Sequence, residues 1–347
     1  MIEKSKKVYV GLSGGVDSAV SAALLKQQGY DVTGVFIKGW YPPGLPCSWA
    51  EDRRDAMRVA ARLRIPFHTL DASAEYKKGV IDYLLAEYAL GRTPNPDVMC
   101  NREVKFGAFY DFAKESGADF IATGHYAQVR TDHTDAHLLR GHDPAKDQSY
   151  FLWAIEPNAL AMTLFPVGEL EKEKTRKLAK SFSLPVAEKR DSQGICFLGS
   201  ISIEEFLRAE FGTASGKAVD TNGEEVGIHD GVLLHTLGER ISLENAAPGP
   251  WYVSAKRISE NILVVSHTRK TEMHGEGIKL REMNWFSGKM PEGVVEAQYR
   301  YHGPIMRGGI DASGMFCSSE SFPEPIAEGQ SMVLYRGEEC LGGGIIG

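Results

Sequence analysis

A short turn near the start of the chain carries residue types that bind phosphate. The sequence SGGVDS occupies residues 13–18, after a predicted strand and at the start of a predicted helix. Gly14 and Gly15 can adopt positive φ and let backbone N–H groups approach an anion closely. Ser13 and Ser18 add hydroxyl donors, and the helix start adds unpaired N–H groups. The sequence predicts an anion site here, in preference to a plain Ser/Gly/Asp turn that caps a helix.

Asp17 is the member of this turn that would repel a phosphate. Its carboxylate suits a magnesium ligand or an acidic residue at a helix start. The turn has no lysine after its glycines, so it is not a Walker A loop.

A second glycine-containing turn, ATGH at residues 122–125, follows the predicted fourth strand. Ligands of open α/β sheets bind at the carboxyl ends of the strands. Gly124 would let a nucleotide approach the backbone there, whereas an ordinary strand-to-loop glycine is the simpler alternative.

Cys100 lies in PNPDVMCNREVKF, residues 94–106, at the opening of a predicted helix. If Asp97 caps this helix, Cys100 is its third residue, where exposed amide donors favour a thiolate. The Asp97 carboxylate would raise the thiol pKa, or it could act as a general base. An inert buried cysteine is the alternative.

Cys196 lies in DSQGICFLG, residues 191–199, after the turn-like dipeptide Gln193-Gly194. An accessible loop suits a sulfur carrier, which must load at one place and unload at another. Cys100 and Cys196 could form a structural disulfide or a transient catalytic pair, and a cytoplasmic location favours the second. The other cysteines are at 47, 317 and 340, and the absence of a CxxC pair argues against a zinc ribbon or an iron–sulfur cluster.

Alternating strands and helices must position these groups. The first 200 residues or so predict strands at 7–12, 32–40, 67–71 and 119–125 and helices at 18–28, 51–64, 74–90 and 103–117. This alternation predicts a mostly parallel, doubly wound α/β sheet. A short helix at 202–211 follows, then a hairpin of residues 251–257 and 261–266. From about 275 onward the runs are strand-like, which predicts a small antiparallel β-barrel.

Composition sets the class of protein. The chain has 347 residues, 43% hydrophobic and 24% charged, with a net charge of −7. This balance argues against indiscriminate polyanion binding, yet a local basic surface would suffice for RNA. No apolar run approaches the roughly 20 residues of a membrane helix, and the N-terminus lacks the pattern of a signal peptide. We expect a cytoplasmic protein without membrane contact.

Together these motifs resemble a known family. The segments GLSGGVDS, TPNPDVMCN, KFG, ATGHYA, KDQSYFLW, DSQGICFLG and LGGGIIG are similar to those of the tRNA-specific 2-thiouridylases, which modify the wobble uridine. The resemblance covers essentially the whole chain. It implies a pyrophosphatase-loop (adenine nucleotide alpha hydrolase-like) domain at 1–200, a small central domain at 201–274 and a tRNA-binding C-terminal barrel at 275–347. It also implies ATP with Mg²⁺, cleavage of ATP to AMP and pyrophosphate, and a cysteine desulfurase or sulfur-relay protein as persulfide donor.

The resemblance assigns roles to individual residues. Cys196 would carry the persulfide and Cys100 would be the partner nucleophile. Asn95, Pro96 and Asp97 would contact the target base. The ATP site would be lined by Gly11, Leu12, Ser13, Gly14, Gly15, Val16, Asp17, Ser18, Ile37 and Gly124. Contacts to tRNA would come from His125, Lys146, Asp147, Gln148, Arg300, Tyr301 and Gln330. Ile37 departs from the Met that is frequent in the family, and both are apolar.

Two other functions fit parts of the pattern. An amidotransferase-type synthetase with the same loop would use ammonia and would not need two placed cysteines. A non-catalytic RNA-binding protein with a vestigial loop is the second alternative. The intact SGGVDS motif and the two cysteines favour the sulfurtransferase.

Overall fold

The computed structural model describes residues 5–42, 49–132, 135–190, 202–246, 248–269 and 277–347. The strands of the first half are β1 Lys7–Gly11, β2 Asp31–Lys38, β3 Phe67–Asp71, β4 Phe120–Ala122, β5 Ala127–Asp132, β6 Asp135–Arg140 and β7 Thr163–Leu164. Of these, five form a parallel sheet in the order β3-β2-β1-β4-β7. Strand β1 is central, so its end lies between the ends of β2 and β4.

Helices cover both faces of this sheet. They are α1 Val16–Gln27, α2 Trp49–Leu63, α3 Ser73–Tyr76, α4 Tyr83–Ala89, α5 Pro96–Met99, α6 Phe109–Glu115, α7 Pro157–Ala161, α8 Lys172–Ser181 and α9 Ile203–Phe211. The π-helical segments Lys77–Asp82 and Cys100–Ala108 join α3 to α4 and α5 to α6. One apolar core lies under α1, α2 and α8, and a second lies under α3 to α6. The prediction of a doubly wound parallel sheet is confirmed.

A second, small sheet follows α9. Its strands are β8 Gly216–Val219, β9 Glu225–His229, β10 Arg240–Ile241, β11 Trp251–Arg257 and β12 Ile262–Ser266, in the order β10-β11-β12-β8-β9. Strands β11 and β12 are antiparallel and are joined by the turn Ile258–Glu260. The predicted hairpin is therefore confirmed.

The C-terminal strands close into a barrel. They are β13 Ile278–Trp285, β14 Val295–Gln298, β15 Ile305–Ile310, β16 Met315–Ser318, β17 Ser331–Arg336 and β18 Glu339–Ile346. The pairing runs β13-β16-β15-β14-β17-β18, and β18 returns to β13. Closure pairs the edge strands with each other, and the predicted antiparallel barrel is confirmed.

A hairpin from the first half extends this barrel sheet, which the sequence did not indicate. Strand β6 pairs antiparallel with β18, with Leu138 opposite Cys340 and Leu139 opposite Glu339. The apolar core that contains Cys100 also continues into the barrel residues Val333 and Tyr335. The barrel is thus packed directly against the half of the chain that carries Cys100.

The predicted domain boundaries, near residues 200 and 274, fall within residues 191–201 and 270–276, which lie outside the described ranges. The division of the chain into three domains at these positions therefore stays a prediction. Among the described helices, none is long and apolar enough to span a bilayer.

The closure between β13 and β18 depends on a glycine. Gly342 has φ +125°, and a Cβ there would lie 2.0 Å from the Asn284 carbonyl oxygen. We predict that Gly342→Ala lowers the stability by about 2 kcal/mol or more, because the facing strand must move. Gly309→Ala is the matched control, since its Cβ would meet nothing closer than 3.5 Å. Urea unfolding of the two variants measures the difference, and equal midpoints would contradict the prediction.

Candidate active site

The predicted phosphate turn links the end of β1 to the start of α1. Gly14 has φ +78°, and a Cβ at this position would lie 2.4 Å from the Asp52 carbonyl oxygen. The Ser18 hydroxyl accepts from the Ser13 backbone N–H at 3.2 Å, and the Ser13 hydroxyl accepts from the Gly15 N–H at 3.3 Å. The turn is therefore held by its own serines and by the backbone at the start of α2.

The first turn of α1 is open at its N-terminus. Gly15 is the N-cap and contributes no side-chain cap. N–H groups at such an end lack partners within the helix and attract anions. Leu12 and Val16 are buried in the core, so they anchor the turn. This geometry supports an anion site.

Gly124 allows a close backbone contact between β4 and α1, which the sequence did not reveal. A Cβ at Gly124 would lie 2.5 Å from the Ser18 backbone nitrogen and 2.8 Å from the Asp17 carbonyl carbon. The glycine lets the backbone after β4 rest on the first turn of α1. The sequence predicted that Gly124 lets a nucleotide approach the backbone. In the structure, the close neighbour of Gly124 is the phosphate turn itself.

Gly11 and Ile37 lie beside each other at the ends of β1 and β2. A Cβ at Gly11 would meet the Ile37 side chain at 3.8 Å and the Phe109 ring at 3.6 Å. These apolar groups lie at the carboxyl edge of the sheet, where open α/β sheets bind their ligands.

Asp17 is engaged by a cation from a distant part of the chain. Lys172 Nζ lies 2.7 Å from both Asp17 carboxylate oxygens, and the Tyr126 hydroxyl donates to Oδ1 at 2.9 Å. Both carboxylate oxygens have partners within the chain, and each can still accept a further ligand, so Asp17 as a magnesium ligand stays a prediction. Among the described residues, no group of three or more His, Cys, Asp or Glu side chains could hold a metal ion. Asp17 also lies in the first turn of α1, where an acidic side chain stabilises the helix.

The segment before Cys100 differs from the expected helix start. Asn95, not Asp97, is the N-cap: its Oδ1 accepts from the Val98 N–H at 3.4 Å, and Pro96 is the first helical residue. Cys100 is therefore the fifth helical residue and not the third. Its backbone N–H is bonded within the helix to Pro96 and Asp97 carbonyls. The argument that free amide donors favour its thiolate is wrong, because those donors belong to the first turn.

Cys100 is buried, and ionisable groups surround its segment. Burial raises the pKa of the Asp97 carboxyl, and the nearby Lys105 ammonium opposes this shift. Burial holds the pKa of the His125 imidazole well below its usual range, so the ring is neutral at pH 7. Its Nδ1 lies 2.7 Å from the Thr123 hydroxyl, and the ring packs 5.8 Å from that of Phe106.

Two backbone neighbours bring the phosphate turn and the cysteine segment together. Gly124 packs on Ser18 of the turn. The next residue, His125, packs on Phe106, six residues beyond Cys100 in the same π-helical segment. The end of β4 therefore lies between the two predicted halves of the site.

The residues expected to contact tRNA divide into engaged and accessible groups. Asp147 is buried and accepts from Arg140, Gly141 and Ser149 at 2.9–3.1 Å. Gln148 Oε1 accepts from the Tyr126 N–H at 2.9 Å. Lys146, next to both, is half-buried. Their burial and partners give Asp147 and Gln148 a structural role in this loop.

Of the predicted tRNA contacts Arg300 and Tyr301 on the barrel, the first is bonded within the protein and the second is exposed. Arg300 donates to the Pro325 carbonyl at 3.0 Å and lies 3.3 Å from Glu324. Tyr301 is exposed, its ring is stacked on His302 at 4.0 Å, and it lies 4.5 Å from Phe151. Tyr301 offers the kind of aromatic face on which RNA bases stack.

Cys196 and Cys47 lie outside the described residues, so the predicted pair of thiols stays a prediction. The remaining cysteines differ sharply. Cys317 is exposed, whereas Cys340 is buried and its pKa is raised by burial to about 12. A thiol with that pKa is inert as a nucleophile at neutral pH.

Lys172, Tyr126 and Lys105 were not predicted as site residues. Lys172 is 155 residues from Asp17 and lies in a lysine-rich amphipathic helix, where it has no local signature. Tyr126 directly follows ATGH and Lys105 lies within the quoted cysteine motif. Their closeness to those motifs was the available signal.

Comparisons with known proteins define the class. Three family models match consecutive segments: the tRNA methyl transferase HUP domain over residues 6–200, the tRNA methyl transferase PRC-barrel domain over 204–267 and the aminomethyltransferase beta-barrel domain over 275–346. The first model alone covers more than half of the chain. The class is therefore a HUP-domain protein with two β-domains after it.

Curated relatives narrow this class. Proteins described as "tRNA-specific 2-thiouridylase MnmA" from Escherichia coli K12 and from Shigella boydii are 44% identical to this chain over 364 residues. The matches cover 100% of this chain and 98% of each relative. The chain belongs to the tRNA-specific 2-thiouridylase family.

Solved structures resemble the chain more distantly. An NMN synthetase from Francisella tularensis is 18% identical, with a TM-score of 0.38 over 58% of this chain and 72% of its own. A predicted subunit of tRNA methyltransferase from Methanocaldococcus jannaschii is 18% identical, with a TM-score of 0.33 over 50% and 76%. At these TM-scores the likenesses carry no functional argument.

Proposed function

We propose that this chain is an ATP-dependent tRNA sulfurtransferase that converts the wobble uridine to 2-thiouridine. Family membership and the geometry of the site both support this function. The observation that carries it is the meeting, at the end of β4, of an open helix N-terminus and the segment that bears Cys100. A reaction that needs both a phosphate site and a thiol explains that arrangement better than either alternative function.

The chemistry has two stages. The uridine 2-oxygen attacks the α-phosphate of ATP, pyrophosphate leaves, and the base carries AMP on that oxygen. AMP is a far better leaving group than the original oxygen. Flipping the uridine out costs less in an anticodon loop, where bases are already unpaired, than in a duplex.

Sulfur then replaces the activated oxygen. Either the Cys196 persulfide attacks C2 directly and AMP leaves, or Cys100 first attacks Cys196 and frees hydrosulfide, which attacks C2. On the direct route, Cys100 attacks the Cys196 sulfur and releases the thiocarbonyl sulfur. Both routes end in a Cys100–Cys196 disulfide, so an external thiol must supply two electrons to reset the site.

Other residues support the two stages. We assign ATP to the 11–18 turn with Ile37 and Gly124, and the target base to Asn95, Pro96 and Asp97. Tyr301 is the strongest candidate for a tRNA contact, because its ring is exposed, and Lys146 is a second candidate because its ammonium can neutralise a phosphate. Asp17 is the carboxylate of the turn that would hold magnesium, and no step is assigned to the metal. The persulfide comes from a cysteine desulfurase or a sulfur-relay protein.

The release of pyrophosphate tests this function. Purified chain, ATP and unmodified tRNA should give pyrophosphate only when the tRNA has a uridine at the wobble position. An ammonia-using synthetase would instead need ammonia or glutamine, and a non-catalytic RNA-binding protein would release none. Pyrophosphate release that is independent of tRNA would overturn the proposal.

Lys172 should supply the cation that the phosphate turn lacks. Its ammonium is paired with Asp17, in the first turn of α1. We predict that Lys172→Met lowers tRNA-dependent pyrophosphate release about 10- to 100-fold, because a lost hydrogen bond to a charged group has an effect of this size. The affinity for tRNA should not change. Lys174→Met, an exposed lysine on the same helix, is the control and should behave as the wild type. Equal rates for the two variants would remove Lys172 from the nucleotide site.

The two thiols should separate adenylation from sulfur transfer. Adenylation needs no sulfur, so Cys100→Ser and Cys196→Ser should both retain tRNA-dependent pyrophosphate release and lose thiolation. Cys100→Ser should still accept labelled sulfur from a desulfurase and hold it on Cys196, whereas Cys196→Ser should accept none. Label trapped on Cys100 in the Cys196→Ser protein would reverse the two roles.

The pH profile should report on Asp97. As a general base it must be ionised, and burial raises its pKa. The rate of thiolation should therefore rise with pH through a value above that of an ordinary aspartate, about 3.9. Lys105→Met removes the positive charge that lowers this pKa, so the acid limb should move to higher pH. Single-turnover rates at saturating tRNA measure the limb, and a shift to lower pH would exclude Asp97 as the base.

A further inference from the structure

The loop that follows β6 is closed on itself. Residues 141–148, called here the 141–148 loop, run from the end of β6 to the helical turn Ser149–Phe151. Asp147 accepts from the Gly141 N–H at 2.9 Å and from the Ser149 N–H at 3.0 Å, so one carboxylate joins both ends of the loop. These bonds hold the loop in one arrangement. The same loop carries three of the residues predicted to contact tRNA.

Tyr126 joins this loop to the phosphate turn. Its backbone N–H donates to Gln148 Oε1 at 2.9 Å, and its carbonyl accepts from the Gln148 N–H at 2.8 Å. Its hydroxyl donates to Asp17 Oδ1 at 2.9 Å. The side chain is 2% exposed and packs in the core under α1. Because the ring is rigid, the position of the hydroxyl on Asp17 follows the position of the backbone that Gln148 holds.

Asp143 provides a second route from the loop to the same carboxylate. Its Oδ1 accepts from the Ala145 N–H at 3.0 Å, and its Oδ2 accepts at 3.1 Å from the backbone N–H of Lys172, the first residue of α8. The Lys172 ammonium is paired with Asp17 at 2.7 Å and lies 5.6 Å from the centre of the Tyr126 ring. Two partners of the Asp17 carboxylate therefore have backbones that the 141–148 loop holds.

We propose that Tyr126 and Asp143 are positioning residues that couple the 141–148 loop to the phosphate turn, so that RNA bound on the loop strengthens nucleotide binding at the turn. This inference rests on the proposed function. Lys146 and Gln148 are half-buried, so the loop keeps surface that RNA can contact.

The coupling follows from conformational entropy. RNA that restrains the loop also restrains the backbones of Tyr126 and Lys172, so a nucleotide that binds beside Asp17 orders fewer groups and loses less entropy. Thermodynamic linkage makes the effect reciprocal, and the nucleotide strengthens RNA binding by the same factor. ATP is then held tightly only when the RNA that it will activate is in place.

Binding of an ATP analogue measures this coupling without catalysis. The probe is ATP with a methylene group between its α- and β-phosphorus atoms, in the presence of Mg²⁺, with and without saturating unmodified tRNA. For the wild type, tRNA should lower the Kd of the probe by about fivefold or more, the usual size of coupling between two sites. The reverse measurement, the Kd of tRNA with and without the probe, should give the same factor.

Two variants interrupt the two routes. Tyr126→Phe removes only the hydroxyl that meets Asp17, and Asp143→Ala removes the carboxylate that meets Lys172. Each should lower the coupling factor to about 2, and the double variant should lower it to about 1, because both routes are then lost. The Kd of tRNA without the probe should stay within about twofold of the wild type for Tyr126→Phe, because the lost hydroxyl is buried.

Two matched controls separate positioning from general damage. Tyr110→Phe removes a hydroxyl that meets Lys114 at 3.4 Å on the exposed side of α6. Asp220→Ala removes a carboxylate that also accepts two backbone N–H groups, in the turn between β8 and β9. Both controls should keep the wild-type coupling factor, since neither group contacts the loop or the phosphate turn.

The outcomes are distinct. A coupling factor of 1 in a wild-type chain that does release pyrophosphate with tRNA would overturn this inference alone. The wild-type factor in the double variant, or an equal loss of the factor in the two controls, would overturn it as well. A wild-type chain that releases no pyrophosphate in response to tRNA would overturn the proposed function and this inference with it.

Discussion

The close approach of the β4 end to the first turn of α1 is the constraint on which the site depends. Gly124 leaves no room for a side chain against Ser18, so the phosphate turn and the residues after β4 have one relative position. Because β1 and β4 are neighbouring parallel strands, their carboxyl ends meet at one edge of the sheet. His125 then carries the same alignment to the helix of Cys100 through Phe106. The two segments that we assign to phosphate chemistry and to thiol chemistry are thus brought to one edge of the sheet by packing.

Buried charge in this region is compensated over long sequence distances. Asp17 is paired with Lys172, and Asp147 with Arg140. Leaving one partner of such a pair unpaired in a partly buried site is costly, so these contacts favour a single arrangement of the elements that bear them. Asp147 also stabilises its own loop by accepting four hydrogen bonds.

The barrel is part of the same assembly. Strand β18 closes the barrel on β13 and also pairs with β6, and Asn284 donates to the Trp153 and Ile155 carbonyls at 2.8 Å. The barrel is therefore joined to the half of the chain that carries Cys100 by strand pairing and by side-chain hydrogen bonds.

Sequence periodicity was sufficient to predict the sheet, the hairpin and the barrel, because each follows from local alternation of apolar residues. SGGVDS was recognisable for the same reason, since its chemistry lies within six consecutive residues. The N-cap was misassigned because Asn95 and Asp97 are both good capping residues and only the fold shows which side chain meets a free amide. Lys172 and the β6–β18 pairing could not be predicted, because each joins segments more than 150 residues apart.

The most direct test is mass spectrometry of tRNA nucleosides from cells that lack this protein. We predict that 2-thiouridine derivatives at the wobble position disappear, and that the wild-type chain restores them whereas Cys196→Ser does not. Persistence of wobble 2-thiouridine in the deletion strain, or its restoration by Cys196→Ser, would contradict the assignment of this chain as the wobble-uridine sulfurtransferase.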